Sequence, residues 1–285
     1  MYLCATVPLP HLDPLAVGPM AMALSHLVGD GDTPYARFFR GLSQAGSYVI
    51  LNSGAFEAVR AGLPLPSLDA SLARAARIGA AEIQFPEDPS SGRRTVKLVA
   101  SWVRALTAED RRRYTWHAVV VGDGQRDYER CFDALAEIEP VGVLGLPKII
   151  TARCYAAACG ARDLATTRRH ALGRLLPRTP KAFHLLGLDD PREVVDQRRW
   201  GPQVRSVDTS AAVIHAVHGI RYPVDPLTPA ELPVDLPRFA AEQPLGPAEL
   251  ERAHHNLRML RAWCQEPSTP YRQGARPWMA EDRPS

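Results

Sequence analysis

No stretch of the sequence reaches the roughly 18 uninterrupted apolar residues that a membrane-spanning helix requires, so no membrane partner is expected. The opening residues, MYLCATVPLP, lack a basic segment followed by a long apolar run. A secretory leader is therefore not expected, and the reading is cytoplasmic. Cysteine is sparse: Cys4, Cys131, Cys154, Cys159 and Cys264 are scattered, odd in number and without a CxxC pair. That pattern predicts free thiols in a reducing compartment rather than a disulfide framework. Charge is nearly balanced, with a net charge of +3, which by itself does not indicate nucleic acid.

What is present is an ordinary globular composition, 46% hydrophobic and 23% charged over 285 residues. Such a length buries a large core in one barrel-like domain or two smaller ones. Basic residues concentrate between Lys148 and Lys181, where eight face a single acid, Asp163. Such a run either tracks a phosphate backbone or forms a solvated helical face whose acids lie elsewhere.

Short apolar or β-branched runs alternate with helical patterns along the chain. Strands are expected at MYLCATV, YVIL, EIQF, WHAVVV, VGVLGL, AFHLLGL and VRSVDTS. Helices are expected at MAMALSHLV, PYARFFRGLSQ, LDASLARAARIGA, RRTVKLVASWVRAL, RDYERCFDALAEI and PREVVDQRRW. Strand–helix alternation with short connections implies a parallel sheet. The number of units favours an α/β fold, a single closed (β/α)8 TIM-type barrel, over an open doubly wound sheet. Domain limits of 1–265 are expected, ending in an amphipathic helix at PAELERAHHNLRMLRAWCQ, with 266–285 as a disordered tail.

In such barrels functional groups gather at the carboxyl ends of the strands. There the sequence places Asn52-Ser53-Gly54, Pro86-Glu87-Asp88, Gly122-Asp123-Gly124, Gly145 with Pro147, Gly187 and Asp208-Thr209-Ser210. Two acids and several glycines around one rim make a site-shaped pattern. Each has a plainer explanation in turn geometry. Asp-Thr-Ser before AAVIHAV also suits a helix N-cap, Glu87 or Asp88 can begin the next helix, and Phe56 suits the core. His215 and His218 fall on one helical face, a spacing more usual for partly buried histidines than for metal ligands.

LNSGAFE, FPED, VVVGDG, VLGLP, FHLLGL and VRSVDTS occur in the order found in the tRNA-guanine transglycosylase superfamily. The chain resembles most closely its DpdA-type branch, the deazapurine DNA-modification proteins, over roughly residues 1 to 222. The resemblance implies a pentosyltransferase that replaces guanine in DNA with a 7-deazaguanine such as preQ0 and needs no cofactor. Asp208 matches the nucleophile, whose carboxylate attacks C1′ and forms a covalent glycosyl intermediate. Glu87 matches the acid that reads the guanine edge. Gly145 and Leu146 match a turn whose backbone contacts the base, and His184 and Gly187 match the wall beside it. Ser53, Gly54, Phe56 and Gly122 complete the implied substrate-binding set.

Two positions depart from that pattern. Asn52 stands where most members carry an aspartate acting as general acid/base, and an amide does not take up a proton at neutral pH. Proton transfer then falls to Glu87, to water or to nothing. Val121 replaces a base-binding glutamine. The cysteine-rich zinc site of the tRNA enzymes has no counterpart after residue 222, so no structural metal is expected. Three readings stay open: the DNA enzyme or its tRNA-acting analogue, a non-catalytic nucleic-acid-binding subunit, and an unrelated barrel enzyme for a small metabolite.

Overall fold

The computed structural model describes residues 1–160, 164–188, 190–226 and 242–267. Eight parallel strands are present: β1 (Tyr2–Ala5), β2 (Met20–Leu24), β3 (Tyr48–Asn52), β4 (Glu82–Gln84), β5 (Thr115–Val119), β6 (Val141–Pro147), β7 (Ala182–Leu186) and β8 (Val204–Thr209). Their order is β1-β8-β7-β6-β5-β4-β3-β2. The end strands β1 and β2 lie side by side, so the sheet forms a nearly closed barrel of the (β/α)8 type. The expected tail falls on residues that, beyond 267, lie outside the described set.

The helices start where the local chemistry directs. Thr33 Oγ1 accepts from Ala36 N–H at 3.0 Å ahead of Pro34, fixing the start of Pro34–Gln44. Ser67 and Ser91 cap Leu68–Ile78 and Gly92–Ala105 in the same way, at 3.2 Å each. The closing helix, Pro247–Cys264, packs against the helix Ala211–Val217 and against β1.

One expected helix is a strand. Residues 20–24, MAMAL, form β2 and pair with β3 from Met20↔Tyr48 to Leu24↔Asn52; only Ser25–Val28 is helical there. Met and Ala are strong helix formers, and a parallel strand covered on both faces shows no polar alternation to reveal it. Tertiary placement overrides propensity.

The main core lies between the strands and the surrounding helices, and a second apolar group, Cys4, Met20, Met22, Tyr48 and Ile50, forms inside the barrel. Beside it the interior is charged. Glu82 meets Arg205 Nη2 at 2.6 Å, His117 Nδ1 at 3.0 Å and the Tyr48 hydroxyl at 3.0 Å, all of them buried. A register shift between β7 and β8 leaves Arg205 as an extra residue between the Val204 and Ser206 pairings. That bulge adds an interior-facing side chain without changing the pairing of Ser206. Burial opposes ionisation of Glu82, but the Arg205 guanidinium and His117 outweigh it and hold the carboxyl well below its ordinary range. Burial keeps His117 deprotonated down to about 4.

Candidate active site

The carboxyl ends of β3, β4, β7 and β8 converge on a cavity of 240 Å³. Asn52, Phe56, Glu87, Gly187 and Asp208 line it, together with Gln84 and Lys148, which the sequence did not single out as site residues.

Asp208 is the last but one residue of β8 and sits on the cavity wall. Its Oδ1 accepts from Gly187 N–H at 3.1 Å and from His184 Nε2 at 3.2 Å. His184 Nδ1 lies 2.7 Å from Ser206 Oγ. In the tautomer that donates from Nε2, Nδ1 is an acceptor, so the Ser206 hydroxyl donates to it. Ser206, His184 and Asp208 thus form a directed chain that holds one carboxylate oxygen, and among the described residues nothing donates to Oδ2. The alternative role as helix cap does not apply. The residue at the N-cap of Ala211–Val217 is Ser210, and it is Thr209 Oγ1 that accepts from Ala211 N–H at 2.9 Å while donating to Leu188 O at 2.8 Å.

The opposite wall explains the sequence Asn-Ser-Gly. Gly54 has φ +70°, a left-handed conformation that L side chains resist. Its N–H donates to Asn52 Oδ1 at 2.7 Å, and Ser53 Oγ accepts from Ala55 N–H at 3.1 Å. Both side chains therefore help start the short helix Ala55–Arg60, with Asn52 on the cavity wall and Ser53 buried behind it. Ser53 donates to Glu87 Oε2 at 3.0 Å. Gln84 Nε2 donates to Ser53 Oγ at 3.2 Å and to Glu87 Oε2 at 3.3 Å, while its Oε1 accepts from Asn52 Nδ2 at 3.2 Å. Burial pushes the Glu87 carboxyl up from 4.5 to about 7; the two donors oppose that rise and the Glu57 charge reinforces it. Glu87 does not begin a helix, since the next one starts at Gly92, and it is Asp88 that orders the intervening turn through Ser90 and Arg94.

Phe56 is 42% exposed at the mouth rather than buried in the core. Ser53, Gly54 and His184 stand behind the lining rather than in it, and Gly122, Gly145 and Leu146 do not line the cavity either. A Cβ on Gly122 would lie 2.5 Å from Tyr128 N, so this glycine lets the helix Gln125–Glu137 approach the end of β5. A Cβ on Gly145 would lie 2.5 Å from His117 Nε2, so that glycine makes room for the interior histidine. The Leu146 side chain is in the core, and its carbonyl accepts from Arg168 Nη1 at 3.3 Å.

The basic run from 148 to 181 is mostly spent within the fold. Arg168 pairs with Glu193, Arg169 with Asp196, and Arg174 and Arg178 with Glu129. Lys181 donates to Ile138 O and Arg153 to Gly122 O. Its acids lie on neighbouring helices, so the run is not a free electrostatic track. Arg162 falls outside the described residues.

The cysteines are free, four of them buried. Among the described residues no group of three or more His, Cys, Asp and Glu side chains is placed to hold a metal ion, and no helix is long and apolar enough to cross a membrane. His215 Nδ1 is paired with the Tyr222 hydroxyl at 2.8 Å.

No family model matches the sequence, and no curated protein matches it. Among solved structures, the chain is similar to RipC from Yersinia pestis at 11% identity and a TM-score of 0.41, covering 90% of this chain and 94% of that one. A likeness at that level carries no argument about activity, and what the site does rests on its own chemistry.

Proposed function

We propose that the protein is a base-exchange glycosyltransferase that replaces guanine in DNA with a 7-deazaguanine through a covalent ester on Asp208. The observation that carries this reading is the pairing of two unlike carboxyls on one cavity. Asp208 has one oxygen held by two donors and, among the described residues, the other open, as a nucleophile requires. Glu87 titrates near neutrality, as a proton carrier requires. The motif order shared with the tRNA-guanine transglycosylase superfamily supports the choice of a nucleoside unit. The cavity, smaller than the roughly 300–1,000 Å³ typical of sites for drug-sized ligands, suits a single base.

In the first step Asp208 Oδ2 attacks C1′, and the bond from C1′ to the base nitrogen breaks with its electron pair leaving on guanine. Glu87 supplies the proton that neutralises the departing base. In the second step the ring nitrogen of the incoming base attacks C1′ and gives its proton to Glu87. The ester bond breaks, returning its pair to Asp208, with the donors from Gly187 and His184 stabilising the released carboxylate. Two inversions at one carbon retain its configuration, as in retaining glycosidases. Asn52 takes no proton in this scheme. A base within a duplex is unreachable until extruded, and Phe56 at the mouth offers it an aromatic face.

The test is covalent trapping. Guanine-containing DNA is incubated with the protein, with and without preQ0, and resolved under denaturing conditions. A protein–DNA adduct that is lost in Asp208→Ala and chased by preQ0 is the expected result. An adduct with tRNA alone would move the substrate to RNA, and tight binding with neither adduct nor base release would mark a non-catalytic binding subunit.

A further inference from the structure

The polarity of the cavity wall is dictated by one backbone group. Gly54 N–H can only donate, so the Asn52 atom 2.7 Å away must be Oδ1. Asn52 Nδ2 must then face an acceptor, and the Gln84 atom at 3.2 Å must be Oε1. That orientation turns Gln84 Nε2 toward Ser53 Oγ and Glu87 Oε2. Ser53, already accepting from Ala55 N–H and Gln84, has one proton to give, and it goes to Glu87 Oε2. Each amide has one way round, because each neighbour's role is already fixed.

We propose that Asn52 is a positioning residue: its carboxamide orients Gln84 so that two donors converge on Oε2 of Glu87, which leaves Oε1 as the oxygen that takes up and releases the proton. An aspartate at position 52 would reverse the wall. Its second oxygen would demand the Gln84 amide N–H, turning Gln84 Oε1 onto Ser53 and Glu87. Ser53 would then donate to Gln84, and Glu87 would lose both side-chain donors that stabilise its charged form. The departure from aspartate at position 52 is thus matched to Gln84 rather than a defect. The other charged groups that line the cavity with Glu87 are Glu57 from the helix after β3, Lys148 from the start of the helix after β6 and Asp208 from the end of β8; Asp88, its chain neighbour, is paired with Arg94. The catalytic meaning of the Oε1 proton rests on the function proposed above, whereas the hydrogen-bond polarity does not.

The experiment follows the Glu87 carboxyl by 13C NMR through a pH titration, its resonance assigned by its loss in Glu87→Gln. Asn52→Asp should raise the midpoint by about one pH unit, the size of losing a charge-assisted hydrogen bond. In a Gln84→Met background the same substitution should raise it by less than half as much, because only direct charge repulsion is left. Asn52→Ala, which adds no charge, should raise the midpoint in the natural background and leave it unmoved beside Gln84→Met. Equal increments with and without Gln84, or no movement in Asn52→Ala, would overturn the proposal. None of these titrations needs turnover. The expected coupling without any base exchange would sink only the functional reading, and exchange without the coupling would sink only this inference.

Discussion

Arg168 and Glu193 form a buried, two-pronged ion pair, with Nε to Oε1 at 2.7 Å and Nη2 to Oε2 at 2.8 Å. The rest of the guanidinium donates to the carbonyls of Leu146, Leu186 and Gly187. One side chain therefore ties the ends of β6 and β7 together directly behind the peptide that donates to Asp208. Arg168→Met leaves Glu193 charged in the interior and frees three carbonyls. It should cost about 3–5 kcal/mol, the usual penalty for breaking a buried pair, read as a fall in denaturant midpoint at unchanged slope. A loss within 0.5 kcal/mol would mean that the clamp is not structural.

Glu87 makes stability depend on pH in a defined direction. Its folded value of about 7 exceeds its ordinary 4.5, so between those limits the folded chain binds more protons than the unfolded one. Stability is then full below 4.5 and declines as pH rises through 7. Glu87→Gln removes that decline. Relative to the natural protein it should gain on the order of 3 kcal/mol at pH 8 compared with pH 4.5. Urea denaturation of both proteins at the two pH values checks this, and parallel pH profiles would contradict the placement of Glu87.

In the proposed exchange, the Ser206–His184–Asp208 chain would act on the second chemical step, where the carboxylate is released. His184→Leu removes a hydrogen bond to a charged acceptor, and turnover of the trapped adduct should fall roughly ten- to a hundredfold. His184→Gln, whose amide N–H can reach Asp208 Oδ1, should recover most of that loss. Single-turnover decay of the adduct in the presence of preQ0 distinguishes the two variants. Equal decay in His184→Leu and the natural protein would remove His184 from the reaction.

The barrel was legible because seven of its strands are short apolar or β-branched runs that alternate with helical patterns. The eighth hid because Met20 to Leu24 carry helix-forming side chains into a doubly covered strand. At the site, Asn52, Glu87 and Asp208 were legible from their positions at or just beyond the carboxyl ends of strands. Gln84 was not: it lies inside the expected strand EIQF, and only its facing with Glu82, two residues earlier on β4, assigns it to the interior. The partners of the 148–181 arginines were equally hidden, since Glu129, Glu193 and Asp196 reach them only through the packing of separate helices. Linear sequence shows which charges exist and leaves their pairing to the fold.

Gly145 makes that last point testable at one atom. It faces His117 across the barrel interior, and a methyl group there would stand 2.5 Å from His117 Nε2 and 2.9 Å from Leu186 Cδ1. The imidazole cannot retreat freely, because Nδ1 lies 3.0 Å from the Glu82 carboxylate that also holds Arg205. Gly145→Ala should therefore destabilise the protein by about 1–3 kcal/mol, the range for overpacking a filled core. The strain falls on a ring whose deprotonated form is maintained by burial. Displacing it toward water would relax that burial, raise the His117 value from about 4 toward 6.5, and flatten the stability lost on acidification through that window. Thermal melts of Gly145→Ala at pH 7 and pH 5 measure both effects, and the variant should lose less on going to pH 5 than the natural protein does. A variant with natural stability at pH 7 would show that the interior has room that the packing of His117 against Gly145 denies.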